Sequence, residues 1–504
     1  MLKNQWLVRL YYLMVLSALV ASLFILWHVR FPPMQDYPAH LMVANIVSTA
    51  KDATYDWHEY YHIEPKIGPY SASYYLIHLF QKFLDIEDAG KAALSLYFML
   101  IAMFVVYYSR IQIRQNHLPW LMLLIFPLSY NQVYYFGFLN YLISIPILLW
   151  LIIDYQRIGL ASRNKVCTGL QLVAPLLLFL LHPFTLLLYC GLSLSSLAFR
   201  KIKKKNFVKE HWIPLLWTVL FIVWFVAANI GGERGATAFP DLYYYWSIQR
   251  ILSFLVLPIS GHHTFPVSLY VMPAWAILGY VLLRSEQHTK PMVSYKYLLI
   301  LLFLAYMLLP FNFLGYSYFS SRLVAPLYMF LAVYLSYKVI EARYLAVIMI
   351  FMVVVYYDIY KTHQSVSGEI ERQLIPLIEK IPRNSRVLPL YRNGGSEYLD
   401  QHIYPQAFFH THNYYHVLVG GGVSLGLVYN DMLPVRYNDN TIKMATNGVV
   451  WTKMELQRAS KKYDYMLIRS RLSVADAIPS SWKALSTTGE WMLYQSLTVN
   501  SLDY

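Results

Sequence analysis

The chain has 504 residues, of which 58% are hydrophobic, 17% aromatic and only 13% charged, and its mean hydropathy is +0.40. Soluble domains carry about twice that share of charge, so the composition excludes an ordinary water-soluble enzyme and specifies a polytopic membrane protein. The net charge of +14 does not indicate a nucleic-acid partner, because most basic residues sit in short loops between apolar runs, as membrane topology requires.

The first apolar run, from about Val8 to Trp27, is long enough to cross a hydrocarbon core of roughly 30 Å. It lacks a small-residue cleavage site and reads as a retained anchor. The stretch Phe31–Leu41, FPPMQDYPAHL, follows directly. Pro32 and Pro33 stop the helix, since each lacks an N–H donor and fixes φ. Asp36 then stands at the membrane surface, ahead of Pro38 and His40 at the start of a new helical pattern. Two readings of Asp36 compete: an N-cap for that helix, or a carboxylate presented by a stiff loop for a reaction at the interface.

A polar, aromatic segment occupies Thr54–Tyr70, flanked by amphipathic pieces near Leu41–Ala50 and Ser71–Leu84. Further apolar runs fall near 89–109, 118–136, 138–153, 166–181, 183–199, 211–229, 267–284, 295–311, 322–340 and 343–360. Gly137 and the pair His182-Pro183 mark tight helical hairpins. The pattern predicts a polytopic α-helical membrane bundle of about eleven spans over residues 1–360, with a large first outer loop at 29–88. A cytoplasmic N-terminus puts far more basic residues inside than outside, including Arg110, Arg114, Arg157, Arg163 and the cluster Arg200–Lys209. Asp36, the Tyr130–Asn140 turn, His182, Gly231–Pro266 and Asn312–Arg322 then share the outer face. Polar groups gathered at one mouth of a bundle read as a site.

Beyond about Lys361 the composition turns polar, and residues 361–504 read as an extracytoplasmic α/β domain. Glu369–Lys380 is an amphipathic helix stopped by Pro382; Arg386–Tyr391 and Tyr463–Ile468 are buried strands; Ala484–Tyr494 is a closing hairpin. Gly420-Gly421-Gly422 is a flexible turn rather than a phosphate loop, because no Lys-Ser/Thr follows it. The two cysteines, Cys167 and Cys190, lie within or beside membrane runs and predict no disulfide framework.

Asp36 is the leading catalytic candidate, with His40 one helical turn on. The two could hold a divalent metal, or His40 could orient the carboxylate. Asp56, His58, Glu59, His62 and Glu64 could add ligands or substrate contacts, or serve as solvated loop residues. His262-His263 reads as a turn rather than a ligand pair. Arg322, at the outer end of a late span, either snorkels to headgroups or offers its planar fork to a lipid-linked phosphate, with Arg234 and Arg250 as further candidates. Outer-loop tyrosines, among 46 in the chain, can line the interface or stack on sugar rings.

A first span, an acidic first outer loop with amphipathic helices, about eleven spans and an outer C-terminal α/β domain together resemble the GT-C superfamily. These are polytopic glycosyltransferases that use polyprenyl-phosphate-linked sugars, such as protein O-mannosyltransferases and lipid A aminoarabinose transferases. The resemblance is carried by FPPMQDYPAHL, with Asp36 at the place of the superfamily's first-loop acidic residue, and by SSRLVAPLY around Arg322. Many relatives show two acidic residues there, whereas Asp36 stands between Gln35 and Tyr37. It implies transfer of a sugar from a lipid-linked donor to a glycan, lipid or protein acceptor at the outer face of a bacterial inner membrane. Asp36 would be the base and Arg322 would lie near the donor phosphate. A lipid-linked glycan polymerase or ligase working through Arg234 and Arg250, and a transporter or flippase without chemistry, are the alternatives.

Overall fold

The computed structural model describes residues 5–114, 117–158, 165–199, 207–229, 293–310, 319–339, 342–399, 406–424, 433–438 and 452–498, with a few isolated positions besides. Arg234, Arg250, His262-His263 and most of the Arg200–Lys209 cluster lie outside them.

Helix α1 (Gln5–His28) ends where Pro32 and Pro33 withdraw their N–H groups, and α2 (Tyr37–Thr49) starts with Pro38 in its first turn. Helix α3 (Ala72–Phe80) is the second amphipathic piece expected from the sequence. Helix α4 (Ile86–Ile113) is capped by Asp85, whose carboxylate accepts the Asp88 N–H. Among the described residues, three helices are long and apolar enough to cross a membrane by length and composition: α1, α4 and the helix spanning Tyr344–Ile378. Shorter apolar helices pack beside them, including α6 (Leu139–Ile158), α7 (Lys165–Leu181) and α8 (Pro183–Phe199), which follow α5 (Gln132–Phe136).

The run near 118–136 is not one helix. A tight turn over Trp120–Leu124 leads into Ile125–Leu128, the chain breaks, and α5 restarts behind Asn131. Pro127 cannot donate in a continuing ladder, and the Asn131 side chain accepts the Val133 N–H at 3.0 Å, which fixes a new helix start. Every residue from Trp120 to Gly137 is buried, as expected of a segment that is apolar on all sides.

After α9 (Phe207–Asn229), α10 (Val293–Leu308) and α11 (Val324–Leu335), helix α12 (Ala342–Glu369) passes without interruption into a wider, π-type turn at Ile370–Leu374 and a last turn at Ile375–Ile378. The amphipathic helix expected at Glu369–Lys380 is therefore the extension of the last apolar helix. Beyond it, β2 (Arg386–Tyr391) runs parallel to β3 (Val423–Ser424) and β5 (Tyr465–Arg469). The hairpin of β6 (Trp482–Thr488) and β7 (Trp491–Ser496), turned at Gly489, completes a sheet ordered β3-β2-β5-β7-β6.

This sheet region is locked onto the segment after α1. Strand β1 (Tyr61–Ile63) pairs antiparallel with β4 (Val435–Tyr437), and Asn45 Nδ2 donates to the His416 carbonyl at 2.9 Å. The three glycines 420–422 all take positive φ and are packed tightly rather than left loose. A Cβ at Gly420 would strike the Tyr55 ring and one at Gly422 the Ser385 backbone. Asp56 accepts the Gly422 N–H at 2.6 Å, which spends that carboxylate on structure.

Candidate functional site

The loop carrying Asp36 is held against the last turn of α5. Gln35 N donates to Tyr135 O at 2.9 Å and Asp36 N to Phe136 O at 3.0 Å. Gly137 makes this approach possible: its φ is +77°, and a Cβ there would lie 2.8 Å from the backbone nitrogens of both Asp36 and Tyr37. On the other side, Phe31 N donates to Ser367 of α12. The loop is thus fixed from two directions.

Asp36 occupies the cap position of α2, yet its side chain makes no capping hydrogen bond. This separates the two readings of the residue, because a carboxylate serving as a cap would accept an N–H of the first turn. It is instead buried, with the Gln35 side chain beside it and Arg322 near enough to oppose the cost of its charge. Burial outweighs both, raising the carboxyl from its ordinary 3.8 to about 7. Its Oδ1 has no hydrogen-bond partner among the described residues and lies 3.6 Å from Nε2 of His410. A buried carboxylate whose proton affinity sits near neutrality is suited to general-base work.

His40 points from α2 into the same cluster. Its Nδ1 lies 2.9 Å from the Tyr74 hydroxyl of α3, the ring also hydrogen-bonds the Gly137 backbone, and burial lowers its pKa to about 4. Tyr74 in turn hydrogen-bonds Asn140 and feels the Asp36 charge. Arg322, in the tight turn Ser320–Leu323 ahead of α11, is buried rather than extended to headgroups. Its carbonyl accepts the Tyr141 hydroxyl at 2.6 Å, its guanidinium lies 4.7 Å from the centroid of the Phe138 ring, and Nη1 is 3.1 Å from His182 Nε2. A guanidinium only donates, so His182 accepts and is neutral. The Arg322 head group is thereby held on the turn between α7 and α8.

The sequence candidates Asp36, His40, His182 and Arg322 are thereby brought together. His62 and Glu64 are not: they sit exposed on and after β1, 3.8 Å from one another, and share no described contact with Asp36. Among the described residues no group of three His, Cys, Asp or Glu is arranged to hold a metal ion. His410 is the member that sequence reasoning missed. It precedes the turn Thr411–Asn413 in the stretch FFHTHN, and nothing in that stretch links it to Asp36.

A membrane bundle with a buried carboxylate and an arginine at one end, closed by a C-terminal sheet region, is the class that fold and site define. Among solved structures, the chain shares its fold with the crystal structure of ArnT from Cupriavidus metallidurans bound to undecaprenyl phosphate. The TM-score is 0.54 at 12% identity, covering 99% of each chain. A mostly helical fold with apolar helices long enough to span and a C-terminal sheet region is the coarse part of the architecture that the GT-C resemblance implies. No family model and no curated protein matches the chain.

Proposed function

We propose that the protein moves a sugar from a polyprenyl-phosphate-linked donor to a nucleophilic acceptor at the outer face of the membrane. The observation that carries this reading is Asp36 itself: a buried carboxylate, free of capping duty, beside a fixed guanidinium. The shared fold supports it, since the ArnT structure holds undecaprenyl phosphate. In the step envisaged, the acceptor oxygen bonds to the anomeric carbon while its proton passes to Asp36. The bond from that carbon to the phosphate oxygen breaks, and the electron pair leaves with the lipid phosphate. The lipid phosphate departs as a dianion and needs no strong acid, so one carboxylate suffices, unlike glycoside hydrolysis, which usually uses two. Arg322 would hold the departing phosphate with two parallel N–H donors.

The test is purified full-length protein with radiolabelled undecaprenyl-phosphate sugars and membranes of a gene-deletion strain as acceptor source. Label transferred with release of undecaprenyl phosphate supports the proposal; movement of intact donor across vesicles without bond cleavage would make it a transporter. Arg322→Lys keeps the charge and removes the fork, so it should weaken donor affinity by about 1.5–3 kcal/mol while acceptor affinity is little changed. An unchanged donor KM in Arg322→Lys and Arg322→Ala would detach Arg322 from the phosphate.

A further inference from the structure

His410 and Asp36 come from opposite ends of the chain and meet with unusual chemistry. Both side chains are buried, at 5% and 7% exposure. The separation of 3.6 Å between His410 Nε2 and Asp36 Oδ1 is too long for a hydrogen bond, and Oδ1 has no other among the described residues. His410 Nδ1 likewise has none. Leaving such groups unpaired costs roughly 1–3 kcal/mol apiece, which a fold tolerates where a ligand completes them. The histidine is held firmly in place. Phe408 N donates to Gly394 O at 2.8 Å, the Phe409 ring packs edge-on against His410 at 4.6 Å, and His412 Nδ1 lies 2.7 Å from the Tyr391 hydroxyl.

Resting on the transfer reading above, we infer that His410 is the acceptor-binding partner of Asp36, and that the acceptor group is a neutral hydroxyl seated between them. An oxygen about 2.8 Å from both atoms lies to one side of the line joining them. There it donates its hydrogen to Asp36 Oδ1 and accepts one from His410 Nε2–H. Its second lone pair stays free to form the bond to the anomeric carbon. The proton ends on Asp36, and the electron pair of the broken bond ends on the lipid phosphate. An anionic phosphate acceptor would meet the Asp36 carboxylate with no proton to give it. The site thus favours a neutral hydroxyl over an anionic oxygen, and His410 holds that oxygen beside the carboxylate.

The experiment compares His410→Asn, His410→Gln and His410→Ala with wild type in the transfer assay, using deletion-strain membranes as acceptor. Glutamine can place an amide N–H where Nε2–H stands; asparagine and alanine cannot. Undecaprenyl phosphate binding serves as the fold check. His410→Asn and His410→Ala should raise the amount of acceptor membrane needed for half-maximal transfer at least tenfold. Donor KM should not change, and His410→Gln should recover most of the transfer. Asparagine and glutamine variants equally active, or equally impaired, would overturn the assignment. Asp36→Asn separates the two claims: if it abolishes transfer while every His410 variant keeps wild-type acceptor dependence, this inference fails and the transfer reading stands. Should Asp36→Asn transfer normally, that reading fails first.

Discussion

Asp36→Asn is expected to give a folded protein whose turnover has dropped by about 10²–10⁴-fold, the usual contribution of a positioned general base. Asparagine keeps the size of the side chain and caps helices about as well as aspartate, so a residue needed only for α2 would tolerate it. The same variant should be more resistant to heat than wild type at alkaline pH. Burial raises the Asp36 pKa to about 7, so between its ordinary 3.8 and that value the folded chain holds a proton the unfolded chain has lost. Stability therefore falls as pH rises through this window, and asparagine, which never ionises, escapes the loss. Thermal unfolding in detergent at about pH 8 should show the gain, and it should vanish towards about pH 4. Lost activity together with gained stability is the signature of a carboxylate kept for function.

The second large effect concerns Arg469, which no sequence pattern marks. It lies fully buried on β5, its Nη2 2.8 Å from Glu369 Oε1 at the end of α12 and 2.8 Å from Glu490 Oε2. Its Nη1 donates to the carbonyls of Asn393 and Gly395, and the guanidinium stacks 4.2 Å from the Phe408 ring centroid. One side chain thus ties the last long helix to the sheet and to the segment that leads to His410. Arg469→Ala should cost about 3–5 kcal/mol, because the buried Glu369 loses its countercharge. Removing both charges in Arg469→Met with Glu369→Gln should restore a good part of the melting temperature. A single Arg469→Ala variant with wild-type thermal stability would show that the ion pairs hold nothing together.

Those two sites also show what the sequence discloses and what it hides. Asp36 was legible because its loop is local: two prolines, a carboxylate and a new helical period within a dozen residues. Arg386–Tyr391 was legible as a strand for the same reason, and it forms β2 with those bounds. His182 and Arg322 stood out as polar groups at the ends of apolar runs. His410 carried no such mark, since its meaning lies in a contact with the other end of the chain. Local periodicity was equally silent about helix continuity. Helix α12 runs on into the wide turn at Ile370–Leu374, and Glu369 at the junction has Ser396 and Arg469 as partners. The glycine triplet read as flexible because a sequence shows the missing Cβ atoms and not the Tyr55 and Ser385 atoms that occupy their place.

The account turns on the ionisation of Asp36, and the pH dependence of single-turnover sugar transfer by the purified wild-type protein measures it most directly. A base that must be ionised predicts a rate rising about tenfold per pH unit on the acid side and levelling off above about 7. A rate that is flat from about pH 5 to 9, or the same acid limb in whatever activity Asp36→Asn retains, would contradict it.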